Sequence, residues 1–490
     1  MRLARTIAFW LLAAGLLACH LVVIVHGFGA RFWEDEAFNL TVPLNFLAGL
    51  GYSSDGALSG SVITPFDPRI STGPTVLVPV IGVLALGADP VIGARLVPVA
   101  FWAVLIVGLV LLGIRTAGRW VGLVAAAVPL CFNGLGSVSP IQGPADLLGE
   151  IPAAALLVWA VIVLRGRPWL AGLLVGLAVQ AKLIALLALP AFAVALWLLT
   201  PGRARERIVG LWKRSWLPLI LVGVPTLLFE LAALLSMGMN GYIEHLRGMV
   251  HFVRGGGQHV APTSVSQKLE TLAGAWFVPA WVAVVTVIVC LSLAVAGLVV
   301  SRGATAVEAD ARARALLLAA TAAVGALAFV GWWATASQLP LWVRHPAVGV
   351  LAFLPMLVIA AIWGARVLID RGGAARIGGV LLMALLSLSL AWSLAGHAMQ
   401  TTLPRSETLA TQRAEIAPIK QWVEETGTAW LAAHPWGAAV APVVLSGAHV
   451  GLADASSMAD APRLTGLACK TDVLIESGRY RVCAPPDAGS

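Results

Sequence analysis

Apolar stretches long enough to cross a bilayer recur along this chain, and they leave few folds open to it. They fall near 7–27, 91–114, 119–136, 150–165, 216–236, 273–300, 315–335, 347–368 and 378–397. A further block, 168–200, is too long for one span and carries Gln180 and Lys182 in its middle, so we read it as two short helices meeting at Lys182. That makes eleven spans. With 59% hydrophobic and only 11% charged residues, a soluble surface for 490 residues cannot be built. Mean hydropathy is +0.90. The expected fold is an all-α polytopic membrane protein.

Arg2 and Arg5 followed by an apolar run resemble a signal peptide, and Leu16-Leu17-Ala18-Cys19 approximates a lipoprotein cleavage box. The run continues through Leu21 to Val25 and more spans follow, so we expect an uncleaved first helix. The net charge of +8 sits mostly between apolar segments, which points to topology and lipid headgroups. No motif for nucleic acid or nucleotide is present. With the N-terminus placed in the cytoplasm, six short cytoplasmic segments hold 17 of the 32 Lys and Arg, including Arg115, Arg165, Arg214, Arg302, Arg312, Arg366 and Arg371. The opposite face holds Arg31, Arg69, Arg95, Lys182, Arg247, Arg254, Lys268 and Arg344 in longer connections. Eleven spans then put the C-terminal tail outside, on the same face as the acidic cluster Glu34-Asp35-Glu36.

Two outer connections carry the polar detail. The first, about 28–90, holds Glu34-Asp35-Glu36 on a short helix, then Phe66-Asp67-Pro68-Arg69 and an apolar stretch at 76–87 that we expect to lie in the interface. The second, 237–272, is rich in Gly, His and Arg, and we read it as amphipathic. Residues 1–400 form the membrane domain and 401–490 a small α/β domain on the outer face. In that domain Glu415 to Glu425 suits a helix ended by Gly427, and β-like runs stand at 429–433, 442–445, 471–476 and 479–483. Cys469 and Cys483 either stay free or pair, closing a loop of about 15 residues for roughly 3 kcal/mol. Cys19, Cys131 and Cys290 read as small buried hydrophobes.

Three adjacent carboxylates in a charge-poor chain are costly near apolar surface. Adjacent helical positions point about 100° apart, so Glu34, Asp35 and Glu36 cannot all serve one centre. Either they interact with the open N–H groups of a helix start, or one of them accepts a proton from an attacking hydroxyl. Lys182 inside an apolar block is a snorkelling lysine or a cation for an anionic ligand. Arg344 is a headgroup or capping residue, or a two-pronged phosphate donor. Asp146 and Glu150 stand four apart at the start of a span. They serve the helix dipole, bind a sugar or acceptor, or share a metal ion. Arg69 and Arg95 are surface or structural residues or contacts for anionic substrate, and Glu230 has no role we can read. Glu244, His245, His251 and His259 match no established metal spacing, so a wet interfacial helix explains them. His434-Pro435-Trp436 is a turn or an acceptor contact.

Trp33-Glu34-Asp35-Glu36-Ala37 resembles the Asp-Glu pair in the first outer loop of the membrane-embedded C-type glycosyltransferases (the GT-C fold). The branch it resembles most is that of bacterial aminoarabinose transferases and protein O-mannosyltransferases. Gly73-Pro74, Arg95, Gly149-Glu150-Ile151-Pro152, Gly176-Leu177-Ala178-Val179-Gln180-Ala181-Lys182 and Arg344-His345-Pro346 are similar too, in the same order. The resemblance covers most of residues 1–400. It implies transfer of a sugar from a polyprenyl-phosphate donor to a lipid, glycan or protein acceptor, with inversion and with Asp35 as catalytic base. It implies substrate contacts at Glu36, Arg95, Glu150, Lys182, Arg344 and His345, and an isoprenoid tail lying near 76–87. No metal ligand is assigned, and a divalent metal cofactor is left open. The competing classes are a transporter or flippase for an anionic lipid-linked substrate, with its charges at the bilayer midplane, and a non-catalytic envelope scaffold.

Overall fold

The computed structural model describes residues 2–56, 63–132, 143–254, 261–301, 306–403, 407–435 and 437–485, the side chains of 251–254 and 306–308 excepted. Arg302, His259 and Trp436 lie outside the described residues, as do the side chains of His251 and Arg254. From the N-terminus, α1 (Arg2–Phe28) leads to α2 (Glu34–Leu47), a hairpin of β1 (Ser53–Asp55) and β2 (Ile63–Pro65), and α3 (Pro74–Ala85). Next come α4 (Pro90–Ala117), α5 (Arg119–Ala127), α6 (Glu150–Leu164), α7 (Pro168–Ala181) and α8 (Leu189–Leu199). The long α9 (Ala204–Arg254) breaks at Gly238, whose φ of 69° is open to glycine. The helical region ends with α10 (Val265–Gly274), α11 (Ala280–Val300), α12 (Ala306–Ala326), α13 (Trp332–Thr335), α14 (Arg344–Arg371) and α15 (Gly373–Thr402).

Among the described residues, 7 helices are long and apolar enough to cross a membrane, which makes this a multi-pass membrane protein. The other segments expected to span are shorter: Arg119–Cys131, Glu150–Leu164, Pro168–Ala181 and Leu183–Leu199. The block 168–200 does divide at Lys182, which takes extended backbone (φ −153°, ψ 119°) after α7. The stretch 76–87 is α3. It buries Val76, Leu77, Val80 and Leu84 and leaves Val78 and Leu86 exposed.

α14 is apolar all round and buried over almost its whole length, packed on α4, α6, α11, α12 and α15. Small residues allow the close crossings. A Cβ on Gly364 would run into the Leu293 carbonyl of α11, and one on Gly349 would strike the Phe329 ring. At the far end of the bundle, arginines cap helix carbonyls. Arg214 donates to Leu199 O (2.9 Å) and Arg165 O (3.2 Å), Arg312 to Leu298 O (3.2 Å) and Arg371 to Val300 O (3.2 Å). Arg366 does the same for Ala117 O. Side chains counted in sequence as topology signals are also C-caps.

The tail is a small α/β domain. It holds α16 (Leu409–Thr426), β3 (Trp430–Ala433), α17 (Val440–Ser446), β4 (His449–Leu452), β5 (Arg463–Thr465), β6 (Val473–Ser477) and β7 (Tyr480–Cys483). Its sheet runs β4-β3-β5-β7-β6, with β6 and β7 as the expected hairpin. Gly427, left-handed at φ 65°, ends α16 as expected. The β-like run 442–445 is a helix instead. Pro442 sits in its first turn, where a missing N–H costs nothing, and Gly447 at φ 84° ends it, so the caps override local β propensity. Cys469 and Cys483 form a disulfide. The domain docks through Asp55, which accepts from Val450 N (3.0 Å) and contacts His449 Nδ1 (3.1 Å).

Gly364→Val should lower stability by about 1–3 kcal/mol through overpacking at the α11–α14 crossing. An unfolding midpoint in detergent equal to wild type would contradict this packing.

Candidate active site at one end of the helical bundle

Trp33, in extended backbone, precedes α2, and the three carboxylates fill its first turn. They diverge as helix geometry requires. Glu34 takes Arg31 at 3.0 Å, Asp35 takes Arg344, and Glu36 takes Arg95 at 2.6 Å.

Glu36 and Arg95 are both buried. The Arg95 Nε donates to Glu36 Oε1 (3.1 Å). Its Nη1 donates to the carbonyls of Gly27 (3.2 Å), Phe28 (3.0 Å) and Ala30 (3.0 Å), and its Nη2 to Arg31 O (3.2 Å). A guanidinium has five N–H groups, and here none is left for a phosphate. Glu36 also accepts from Leu147 N at 3.1 Å. Both side chains hold the end of α1 to the start of α2.

Asp35 and Arg344 are different. They come from 309 residues apart and pair in a buried setting, yet the Arg344 Nε has no partner. The guanidinium lies over the rings of Trp342 (4.7 Å) and Trp33 (5.8 Å), and the Trp33 Nε1 is also without a partner. His345 packs against Trp342, with its Nδ1 unpaired. The connection into α14 is tied down from below. Buried Lys268 donates to Trp333 O (2.6 Å) and Ala336 O (2.5 Å), and the Trp333 Nε1 donates to Pro340 O (3.1 Å).

Glu150 opens α6, and its carboxylate lies 3.1 Å from the Lys182 Nζ. The approach is off-line, so neither carboxylate oxygen is hydrogen-bonded despite the short distance. Two glycines make this meeting. A Cβ on Gly149 would run into Ala181 O, and one on Gly73 into Gln180 O, while the Gly73 N–H caps Ala181 O at 3.1 Å. Asn39 donates to Leu147 O (2.8 Å) and Thr72 Oγ1 (3.0 Å), so α2 also grips the segment that carries Asp146 and Glu150.

A second cluster escaped the sequence reading. Buried Asp67 takes Arg69 at 2.6 Å and 2.8 Å and His245 at 3.0 Å. Arg69 also meets Glu230 at 3.3 Å, and Tyr242 donates to Glu230 at 2.6 Å across the Gly238 break. His245, on the stretch of α9 beyond Gly238, is thus a half-buried partner of Asp67. Its carboxylate lies 178 residues away, and no local spacing announces it. Burial favours the neutral form of Asp67, but hydrogen bonds from His245 and Arg69 outweigh it and hold the carboxyl down at about 2. Among the described residues, no three His, Cys, Asp or Glu gather as a metal-holding group.

No protein-family model matches this chain, and no curated protein matches it. Among solved structures it is similar to ArnT from Cupriavidus metallidurans bound to undecaprenyl phosphate, at 14% identity over 98% of each chain and a TM-score of 0.57. It is similar as well to apo ArnT from that organism, at 12% identity over 97% of this chain and 98% of that one, with a TM-score of 0.55. This chain has the GT-C fold. At such identities the likeness is one of architecture, and it extends through the C-terminal domain.

Asp67 titrates below its ordinary 3.8, so its contribution is present above that value and is lost as pH falls towards 2. Asp67→Asn should therefore be less stable than wild type at neutral pH, by roughly 2 kcal/mol. The gap should close between about pH 4 and pH 2. Thermal unfolding across that range checks it, and a gap that stays constant would refute the assignment.

Proposed function

We propose that this protein moves a sugar from a polyprenyl-phosphate donor to an acceptor hydroxyl, at the extracytoplasmic face of a bacterial inner membrane. The observation that carries the reading is the Arg344–Asp35 pair, a carboxylate and a guanidinium with an unused N–H, at the same end of the bundle as Lys182 and Glu150. In the reaction Asp35 takes the proton of the acceptor hydroxyl, whose oxygen attacks the anomeric carbon. The bond from that carbon to the phosphate oxygen breaks, and polyprenyl phosphate leaves with the electron pair, inverting the configuration. Arg344 and Lys182 stabilise the charge on the departing phosphate. The phosphate competes with Asp35 for Arg344 and with Glu150 for Lys182, so donor arrival frees the base. Arg95 and Glu36 keep the frame and do not touch substrate.

Depth supports this reading. α6 and α7 have 15 and 14 residues, a rise of about 22 Å against a hydrocarbon core of about 30 Å. α4 and α14 have 28 residues each. With the far ends of all four helices among the capping arginines, Glu150 and Lys182 sit recessed, where a lipid-tethered phosphate reaches them. The basic far end supports a cytoplasmic placement there and an outer placement of Asp35. ArnT has been solved with undecaprenyl phosphate, which supports a polyprenyl phosphate as the leaving group. The tail would lie along the exposed side of α3. A flippase reading would put its charges at mid-bilayer, and the paired charges here collect at one end.

Asp35→Asn should cut transfer by about 10²–10⁴-fold in protein that still folds, with some loss of stability because Arg344 keeps a buried charge without its partner. Transfer near the wild-type rate would remove Asp35 as the base. Lys182→Met should both lower kcat and raise KM for the donor, because the ammonium meets the phosphate on binding and on departure. Titration with a polyprenyl-phosphate sugar in nanodiscs reads both, and an unchanged KM would take Lys182 out of donor binding.

A further inference from the structure

The peptide between α1 and α2 carries Asp35 to its place, and it is held from two sides. Arg95 binds its carbonyls from within the membrane domain. The C-terminal domain binds it from the other side. The Phe32 N–H donates to Gln412 Oε1 (2.7 Å), and the Gln412 Nε2 donates back to Phe32 O (2.9 Å). Beside them Leu409 N donates to Gly29 O (3.2 Å), and Ala30 bridges Thr408 in antiparallel fashion. Gln412 is fully buried, although glutamine is ordinarily an exposed residue.

We infer that the C-terminal domain is a working part of the site, and that Gln412 is a positioning residue for Asp35. Its amide turns its oxygen and one of its two N–H donors on a single residue, as in one step of a strand ladder. That two-point match fixes the rotation and the register of Phe32, three residues before Asp35. The next residue, Trp33, immediately precedes α2 and lies under Arg344. The anchor behind Gln412 is also built. Thr408 and Thr411 form a reciprocal cap at the start of α16. Glu407 accepts from Tyr480 Oη (3.2 Å) and meets Arg479 (3.3 Å), which ties α16 to the turn of the β6–β7 hairpin. The path runs from hairpin to Glu407, Gln412, Phe32 and Asp35. This inference rests on the sugar-transfer reading with Asp35 as base.

The test uses the full chain in nanodiscs with Gln412→Met, Gln412→Glu and, as control, Lys420→Ala at an exposed position. Two readouts are taken: hydrogen exchange over 30–38, and transfer kinetics against pH. Gln412→Met should speed exchange at Phe32 and the first turn of α2. It should lower kcat on the order of 10²-fold, with KM for the donor little changed. Gln412→Glu is the sharper probe. Only its protonated carboxyl reproduces the amide, with C=O accepting and O–H donating, so its kcat relative to wild type should rise as pH falls from about 8 to about 5. Lys420→Ala should match wild type throughout. Unchanged exchange in Gln412→Met, a Gln412→Glu ratio flat with pH, or a loss confined to KM would overturn the inference. If wild type transfers no sugar while Gln412→Met still speeds exchange, the sugar-transfer reading fails and the latch on Phe32 stands.

Discussion

A buried ion pair, Glu36 with Arg95, sets the rest of the site. Two charges taken out of water cost several kcal/mol each unless their hydrogen-bonding capacity is filled. Here it is filled by backbone: four carbonyls around the end of α1 on Arg95, and the Leu147 N–H on Glu36. The pair therefore fixes where α1 stops, how α2 is rotated and where the segment before α6 lies. Once α2 is rotated so that Glu36 faces Arg95, its neighbour Asp35 must face elsewhere, and it meets Arg344. Removing one member of the pair would leave a buried charge alone and release all three elements together.

Convergence of short motifs is the second organising fact. Gly73-Pro74, Gly149-Glu150 and the run ending at Lys182 are far apart in the chain, and each is a weak signal by itself. In the folded protein they meet around the carbonyls of Gln180 and Ala181. Glycine is required at 73 and 149 because another element's backbone occupies the space of a Cβ. The same contact stops α7 and turns Lys182 into the site. A chain that spans a membrane has few places to keep charges, and it keeps these paired with one another.

Much of the fold was legible in the sequence because lipid imposes a simple rule. Long apolar runs must be helices, and Lys182 in the middle of such a run marks a break. The hairpin at Ser477-Gly478 and the stop at Gly427 were legible for similar reasons, since each depends on a local backbone need. The first turn of α2 was legible in part: helix geometry alone separates three adjacent carboxylates. Which partner each takes was not, because Arg95 and Arg344 lie 59 and 309 residues from the acids they meet. The partners of Arg95 and His245 were hidden because a sequence shows a charged or titratable group without its surroundings. Gln412 is an uncharged residue in an ordinary polar helix, and only the fold brings it to Phe32.

Together these contacts describe a candidate site whose carboxylates, cations and supporting peptide are held from both the membrane region and the C-terminal domain. Sugar transfer from a lipid phosphate has one direct consequence in the cell. If the proposed reading holds, a cell without this protein loses a consumer of the donor. Mass spectrometry of lipid extracts from cells lacking the chain should show a polyprenyl-phosphate-linked sugar accumulating, together with loss of that sugar from an envelope component. An unchanged lipid pool with unchanged envelope glycans would contradict a transferase at Asp35.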